Sequence, residues 1–349
     1  MSDRTASLGG TRIVVVGAGV LGLATATALV RRGAAVQVFD PDLGVGSASA
    51  AAAGMIAPAM EAALEHAGAE RAALYRAAAA LWPEFASAAG IDLIVEGADW
   101  LGPREPVAAR LQAYGFSVER HQDRLHIPGE ARVHVGDALR RLSAGLGDGA
   151  VSAGRVGQVD ARASGASALV DGRRIEADAV VLAAGWSAAD VRGDGLEGLD
   201  RLIAPVKGQI IALSGAGTPA VSRVTRGPGV YLLPNEGGVI AGATMEAGNC
   251  GLAVDPSVVE QLRVSAAALV PALAQATVAR AWAGVRGATP DGLPLAGAMG
   301  AAGVFAALAP RRNGWLLAPL VAEIVAAAIA GEPPPPEADA FRPDRFGPA

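Results

Sequence analysis

Arg12-Ile-Val-Val-Val-Gly17-Ala-Gly19-Val-Leu-Gly22 leads into Leu23 to Arg32, then Gly33, then Ala35-Val-Gln-Val-Phe39-Asp40. Arg12 to Val16 is a Val-rich apolar run and reads as a buried strand. Leu23 to Arg32 reads as a helix ended by Gly33, and Ala35 to Phe39 as a second strand closed by Asp40. The whole is a βαβ unit of about 30 residues, the length expected for a crossover. Gly17-x-Gly19-x-x-Gly22 alone is a weak signal in a chain with 46 glycines. Its context strengthens it: a strand before, a helix after, and an acid 18 residues beyond Gly22. Each part has a physical task. Gly17 permits the tight turn, Gly19 lets backbone approach a pyrophosphate, and Gly22 lets helix pack on strand. The helix start offers free N–H groups to phosphates. Asp40 can accept from both ribose hydroxyls, and its charge repels a 2′-phosphate. A glycine-rich turn without a ligand is the plain alternative. The motif does not choose between NAD and FAD.

The chain has 349 residues, enough for two or three compact units or one large fold with insertions. Hydrophobic residues make up 52% and charged residues 18%, which excludes a disordered chain. The net charge is −5 with no basic run, which argues against nucleic acid as a partner. The single cysteine, Cys250, excludes an internal disulfide framework and a multi-thiolate metal site, so no metal and a reducing, cytoplasmic setting are expected. Ile13 to Val30, Gly292 to Pro310 and Gly314 to Gly331 are apolar enough to suggest membrane spans. Glycine and proline punctuate the first two, which read instead as strand–turn–helix units of a buried sheet. The third reads as an Ala-rich closing helix, Trp315 to Ala330.

Elsewhere, residues 1–10 read as a disordered leader. Glu61 to Ala89 suits one or two helices, 91–130 strands and loops, and Val133 to Leu146 a helix. Short strands are expected near 151–160, 166–170 and 179–183, and at Pro205 to Ser214. Val230 to Leu233 and Val239 to Ala243 suggest a hairpin around Asn235-Glu-Gly-Gly238. Pro256 to Ala279 reads as helical, and Pro333 to Pro336 as an extended strap. The pattern fits an α/β, doubly wound nucleotide domain with an inserted domain built on an antiparallel sheet.

After the ribose acid comes Ser47-Ala-Ser-Ala-Ala-Ala-Ala-Gly-Met-Ile-Ala-Pro58, seven small residues before Gly-Met. Here the chain resembles the FAD-dependent D-amino-acid oxidase superfamily, most closely its glycine oxidase branch, whose Ser-x-Ala-Ala-Ala-Gly-Met signature falls at Ser49 to Met55. Further blocks follow in the family's order. They are Val180 to Ser187, Pro205-Val-Lys-Gly-Gln209, Tyr231-Leu-Leu-Pro with Gly242 to Glu246, Trp282 to Gly297, Arg312 to Pro319, and Phe341 to Phe346. Together they span residues 12–346.

The resemblance implies an FAD-binding Rossmann-type domain at 12–90, 131–204 and 284–349, and an α+β substrate domain at 91–130 and 205–283. It implies noncovalent FAD, contacted by Gly17, Gly19, Val20, Leu21, Gly22, Asp40, Pro41, Ala48, Ser49, Ala53, Gly54, Met55, Val156, Ala183, Gly185, Trp186, Pro310, Arg311, Arg312, Asn313, Gly314, Trp315 and Leu316. Arg286 would hold the substrate carboxylate with a hydrogen bond from Tyr231, and Arg312 would line the flavin–substrate boundary. For both arginines the plain alternative is a salt bridge with an acid such as Asp291. Arg311 could be surface charge, Val156 a strand core residue, and Met55 a packing residue. Trp82, Trp100 and Trp282 read as core. The chain departs from the family in having Ala309-Pro310 for Gly-His, so a backbone donor is lost. It also has Gly287 where proline usually follows the arginine.

The implied activity is FAD-dependent oxidation of glycine or another small amine-bearing acid (sarcosine, D-amino acids). The products are an oxo acid and ammonia or an amine. Dioxygen is reoxidant, and the imine is a feed for thiamine biosynthesis. No histidine falls in these blocks and the flavin carries the chemistry, so no catalytic side chain is expected. Alternatives are a D-amino-acid dehydrogenase with another electron acceptor, a flavin-binding protein that has lost catalysis, and an NAD enzyme. A homo-oligomer is compatible with the sequence.

Overall fold

The computed structural model describes residues 7–347 apart from residues 216 and 219. Its first layer is a six-stranded sheet in the order Leu295–Ala298, Val304–Leu308, Ala179–Leu182, Arg12–Val16, Ala35–Asp40, Val151–Ala153. All neighbours are parallel except the first pair. Side chains alternate across a strand, so Arg12–Val16 divides its residues between two cores. Ile13 and Val15 pack toward helices Val20–Arg31 and Gly314–Ala330. Val14 and Val16 pack toward a four-stranded sheet formed by residues 156–193. Burial on both faces is why the strand is apolar throughout. Among the described residues no helix is long and apolar enough to cross a membrane.

The second layer is a nine-stranded sheet, antiparallel except where Val224–Gly227 runs parallel to Ala98–Trp100. Its spine is Ala204–Ser214, paired with Gly238–Gly242 and with Thr277–Ala288. Alternation again sorts two faces. Ile211, Leu213, Leu232, Val239 and Ala241 pack on helix Pro256–Leu269 through Leu262 and Ala266. The opposite face carries Tyr231, Leu233 and Ile240 against Ala53 and Met55, in the segment following the first layer. The fold is therefore mixed α/β, as the sequence indicates.

Several elements differ from the sequence reading. The helix begins at Val20, not Leu23, because the turn Gly17–Gly19 is shorter than its glycine spacing suggests. Residues 151–160 are two strands in different sheets, Val151–Ala153 and Val156–Arg162, separated at Gly154. Glu61 to Ala89 holds parts of three helices: Pro58–Leu64, Ala69–Ala80 and Trp82–Ala89. Residues 91–130 also contain helix Arg104–Ala113, which buries Val107, Ala108 and Leu111. The helix from Pro256 stops at Leu269; Pro271 removes an amide, and Thr277 onward pairs with Ser214 as a strand. That strand runs unbroken to Ala288, through the expected domain boundary at 283/284. Pro336 opens a short 3-10 turn ending at the buried Phe341, so the proline strap is only partly extended. Residues 1–6 of the expected leader lie outside the described residues. Leu8 is buried and its N–H donates to Arg32 O at 2.7 Å, so the described part of the leader is packed.

Candidate active site

A cleft runs from the Gly17–Gly22 turn, past the Ser47–Ser49 segment, to the Arg286 and Arg311–Arg312 segments. The three motif glycines serve different ends. A Cβ on Gly17 would lie 2.5 Å from Ala183 O, and its φ of 109° already favours glycine. A Cβ on Gly22 would lie 2.0 Å from Gly17 O. Both glycines answer to the protein's own packing. Gly19 differs: a Cβ there would meet Ser49 Oγ at 3.3 Å and Ser47 Cβ at 4.0 Å, and the residue lines the cleft. Helix Val20–Arg31 starts at Gly19 without a side-chain cap on its first turn from that residue. Ser49 Oγ instead accepts from Val20 N at 3.0 Å. The other first-turn amides lack i−4 partners within the helix; Val20 and Leu21 line the cleft, whereas Gly22, expected at the cofactor, does not.

Asp40 is buried. Its carboxylate accepts from Ala18 N at 2.8 Å, Gly44 N at 2.8 Å and Asp42 N at 3.1 Å. Burial pushes its pKa up, but the hydrogen bonds led by Ala18 outweigh that and hold the group below the usual range. It stays ionised on the cleft wall, with about one lone pair, on Oδ2, left for a hydroxyl donor.

Of the other residues expected at the cofactor, Pro41, Ala48, Val156, Ala183, Gly185, Trp186, Pro310, Gly314 and Trp315 line the same cleft. Val156 also belongs to the core, as its plain alternative reading has it. Ala53, Gly54, Met55, Asn313 and Leu316 stand behind the wall. Gly54, at φ 70°, has no room for a Cβ, which would lie 2.5 Å from Val133 O. Asn313 is buried and donates to Tyr75 OH at 2.9 Å. Trp282, read as core, is half-buried and donates to Ala51 O at 2.9 Å. Cys250, outside every sequence block, is exposed on the cleft wall.

At the other end the wall is made of side chains. Arg286 projects from strand Thr277–Ala288 over Gly208, where a Cβ would come within 2.4 Å of its Nη1. Nη1 donates weakly to Thr244 O at 3.5 Å and Met245 Sδ at 3.4 Å. Among the described residues no carboxylate lies within salt-bridge distance of Arg286. Asp291 is taken by Arg345, at 2.9 and 3.0 Å. Burial pulls the Arg286 pKa below the usual guanidinium range, with Tyr231 opposing. Tyr231 is half-buried, and its OH fills the space a Cβ on Gly242 would need. Burial raises its pKa, with Arg286 the first charge opposing the rise.

Arg312 is paired: its Nε lies 2.8 Å from Glu61 Oε2. Arg311 lies 3.0 Å from Glu65 Oε1 and is not mere surface charge. Sequence reasoning missed the acids and one further arginine. Arg226 is 2% exposed and donates to Glu61 Oε1 at 2.7 Å and to Met55 Sδ at 3.3 Å. Burial would push Glu61 up, but Arg312 and Arg226 hold it below the usual range. Glu130 is also buried; its Oε1 accepts from Ala59 N at 2.9 Å and Met60 N at 3.1 Å. Burial raises its pKa to about 7, with Arg226 opposing. The signal available in the sequence was Glu61 itself, a lone acid in Pro58-Ala-Met-Glu-Ala-Ala-Leu64.

Residues 12–328 match the family described as FAD dependent oxidoreductase. The chain belongs to that family. It is 30% identical over 351 residues to the glycine oxidase of Geobacillus kaustophilus, covering 90% of this chain and 91% of the relative. The crystal structure of glycine oxidase from Geobacillus kaustophilus superposes with a TM-score of 0.81 at 27% identity, covering 96% of this chain and 99% of that one. A shorter match, 34% over 183 residues, joins 51% of this chain to 27% of the bifunctional protein ThiO/ThiG of Synechocystis. The cleft fits the family's FAD. A bare Gly19, an open helix start and an ionised Asp40 suit a pyrophosphate and ribose, and Val285 and Trp315 also line the cleft.

Proposed function

We propose that this protein is an FAD-dependent amino-acid oxidase that acts on glycine or another small amine-bearing acid and uses dioxygen as electron acceptor. For glycine the balance is glycine, water and dioxygen giving glyoxylate, ammonia and hydrogen peroxide. The carrying observation is Arg286: a mostly buried guanidinium on the wall of the nucleotide cleft, with no carboxylate within salt-bridge distance among the described residues. A guanidinium fork is the natural bidentate partner of a carboxylate. In this reading Arg286 holds the substrate carboxylate and the Tyr231 phenol donates a second hydrogen bond. Arg312, steadied by Glu61, borders the reacting carbon. The bound flavin supplies the hydride acceptor, so the protein's task is to orient the α-C–H and exclude water. No histidine lines the cleft among the described residues, which suits a reaction whose amine enters neutral.

The cleft residues Gly17, Gly19, Val20, Leu21, Asp40, Pro41, Ala48 and Ser49 form the nucleotide half of the proposed cofactor site. Residues 12–90, 131–204 and those after Ala288 are the proposed cofactor domain, and 91–130 and 205–288 the substrate domain, the boundary moved to the end of strand Thr277–Ala288. The cofactor is held noncovalently. Feeding thiamine thiazole formation with the imine belongs to the same proposal, supported by the partial likeness to ThiO/ThiG. The test is the purified protein itself. It should be yellow, release FAD on denaturation, and consume dioxygen with peroxide formation when given an amino acid. Colour that stays with the precipitate would reveal a covalent link, with Cys250 the thiol on the wall. Reduction of an added quinone without oxygen uptake would replace the oxidase reading by a dehydrogenase.

A further inference from the structure

Resting on the amino-acid-oxidising reading above, we propose that the preferred substrate carries two acidic groups flanking its amine, one held by Arg286 and the second by Arg312. The observation is an imbalance of charge at this end of the cleft. Four guanidiniums, of Arg226, Arg286, Arg311 and Arg312, gather there with the carboxylates of Glu61 and Glu65. Arg311 is answered by Glu65 at 3.0 Å, and Arg312 Nε lies 3.8 Å from the same oxygen of Glu65. Glu61 must answer two cations at once, Arg226 at 2.7 Å and Arg312 at 2.8 Å. Arg286 has no acid within salt-bridge distance among the described residues. The remaining nearby carboxyl, Glu130, is buried with Oε2 unbonded and is only partly ionised near neutral pH. The enclosure therefore holds one to two positive charges in excess. A substrate with a neutral amine and one carboxylate brings a single negative charge, which Arg286 takes.

Geometry places the second acceptor. Arg311 N donates to Gly287 O at 2.9 Å, so the segments bearing Arg286 and Arg312 are joined backbone to backbone, and both side chains line the same cleft. Arg312 spends Nε and Nη2 on Glu61, and no hydrogen bond to Nη1 is made by any described residue. Arg286 Nε and Nη2 are likewise open. Unbonded guanidinium N–H groups of both residues thus border the same cleft, and Arg312 shares its acids: Glu61 with Arg226, and Glu65 with Arg311. A buried charge without its partner is costly, so a second anion would be strongly favoured there. For iminodiacetate the reaction balances as iminodiacetate, water and dioxygen giving glycine, glyoxylate and hydrogen peroxide. The hydride leaves one methylene, and water then splits the imine.

The test is binding to the FAD-loaded protein of two ethers that cannot be oxidised as amines. Diglycolate carries two carboxylates, and methoxyacetate is its analogue with one. Binding is read from the flavin's visible spectrum. Diglycolate should bind about 10-fold more tightly or better, the scale of one added charge-assisted hydrogen bond. Arg226→Met, which leaves Glu61 wholly to Arg312, should shrink that ratio several-fold, while Arg226→Lys should keep most of it. Equal affinities, or tighter binding of methoxyacetate, would overturn the proposal and assign the surplus charge to the reduced cofactor instead. In turnover, iminodiacetate should exceed sarcosine in kcat/KM; the reverse order counts against the second acid alone. If no amine reduces the flavin, the oxidase reading fails, and the ether pair still decides what the two arginines bind.

Discussion

At the Gly17–Gly22 end the cleft wall is backbone: a glycine turn, a helix start, and an acid held by three amides. At the Arg286–Arg312 end it is side chain: guanidiniums from one sheet strand and one turn, backed by the buried Arg226 and steadied by acids on helix Pro58–Leu64 and the residue after it. The first kind of wall is local in sequence and tolerates almost no change in shape. The second is assembled from positions far apart and depends on charge. The contrast teaches that cofactor and substrate recognition should fail differently under mutation.

The largest effect is expected at the backbone end. Gly19→Val should abolish FAD retention, because a branched side chain enters the phosphate path while clashing with little except Ser49. Flavin content after purification checks it, and full occupancy would contradict the backbone account. Gly17→Ala and Gly22→Ala should instead fail in folding, since their Cβ atoms strike Ala183 O and Gly17 O.

Arg286→Ala comes next. Removing one member of a buried charge pair costs roughly 2–5 kcal/mol. Apparent affinity for amino acids should fall about 30-fold to several thousand-fold at ~1.4 kcal/mol per decade. A carboxylate-free amine should lose far less, and FAD should stay bound. Equal losses for both substrates would make Arg286 structural.

Glu130 sharpens the contrast through pH. Its folded pKa of about 7 stands above its ordinary value. Its contribution to stability is therefore full below about pH 4.5 and is lost as pH rises through about 7. Arg226 and Glu61 are the charges that face it, with the Ala59 and Met60 amides on its bonded oxygen. Glu130→Gln keeps an acceptor for those amides and should flatten the fall in unfolding free energy between about pH 5 and 8, by at most about 3 kcal/mol. An unchanged pH profile would place the titration elsewhere.

The smallest effect is at Ala309, whose φ of 57° lies in the left-handed region. Relief of about 1–2 kcal/mol of backbone strain against about 0.5–1 kcal/mol of added chain entropy makes Ala309→Gly stabilising by about 1 kcal/mol or less. A lower Tm for Ala309→Gly would contradict this. The family's Gly-His at Ala309-Pro310 thus has a conformational reason in its glycine.

The same contrast explains what the sequence revealed. The βαβ unit was legible because Arg12–Val16, the glycines and Asp40 lie within one short stretch whose spacing is dictated by a backbone shape. Arg286 and Tyr231 were found through blocks of resemblance. Arg226, Glu61, Glu65 and Glu130 were not, because each is a single charge in an unremarkable segment and acquires its role only when the sheets and helices bring them together. The strand Thr277–Ala288 was hidden by an Ala-rich run that reads equally as the end of a helix; its pairing with Ala204–Ser214 decides it.

Anaerobic addition of glycine, sarcosine, iminodiacetate and D-alanine to the purified yellow protein tests the central claim. At least one of these amino acids should bleach the oxidised-flavin band, and an amine lacking a carboxylate should not at comparable concentration. FAD bound in full occupancy with no bleaching by any of them would contradict the assignment of this cleft to amino-acid oxidation.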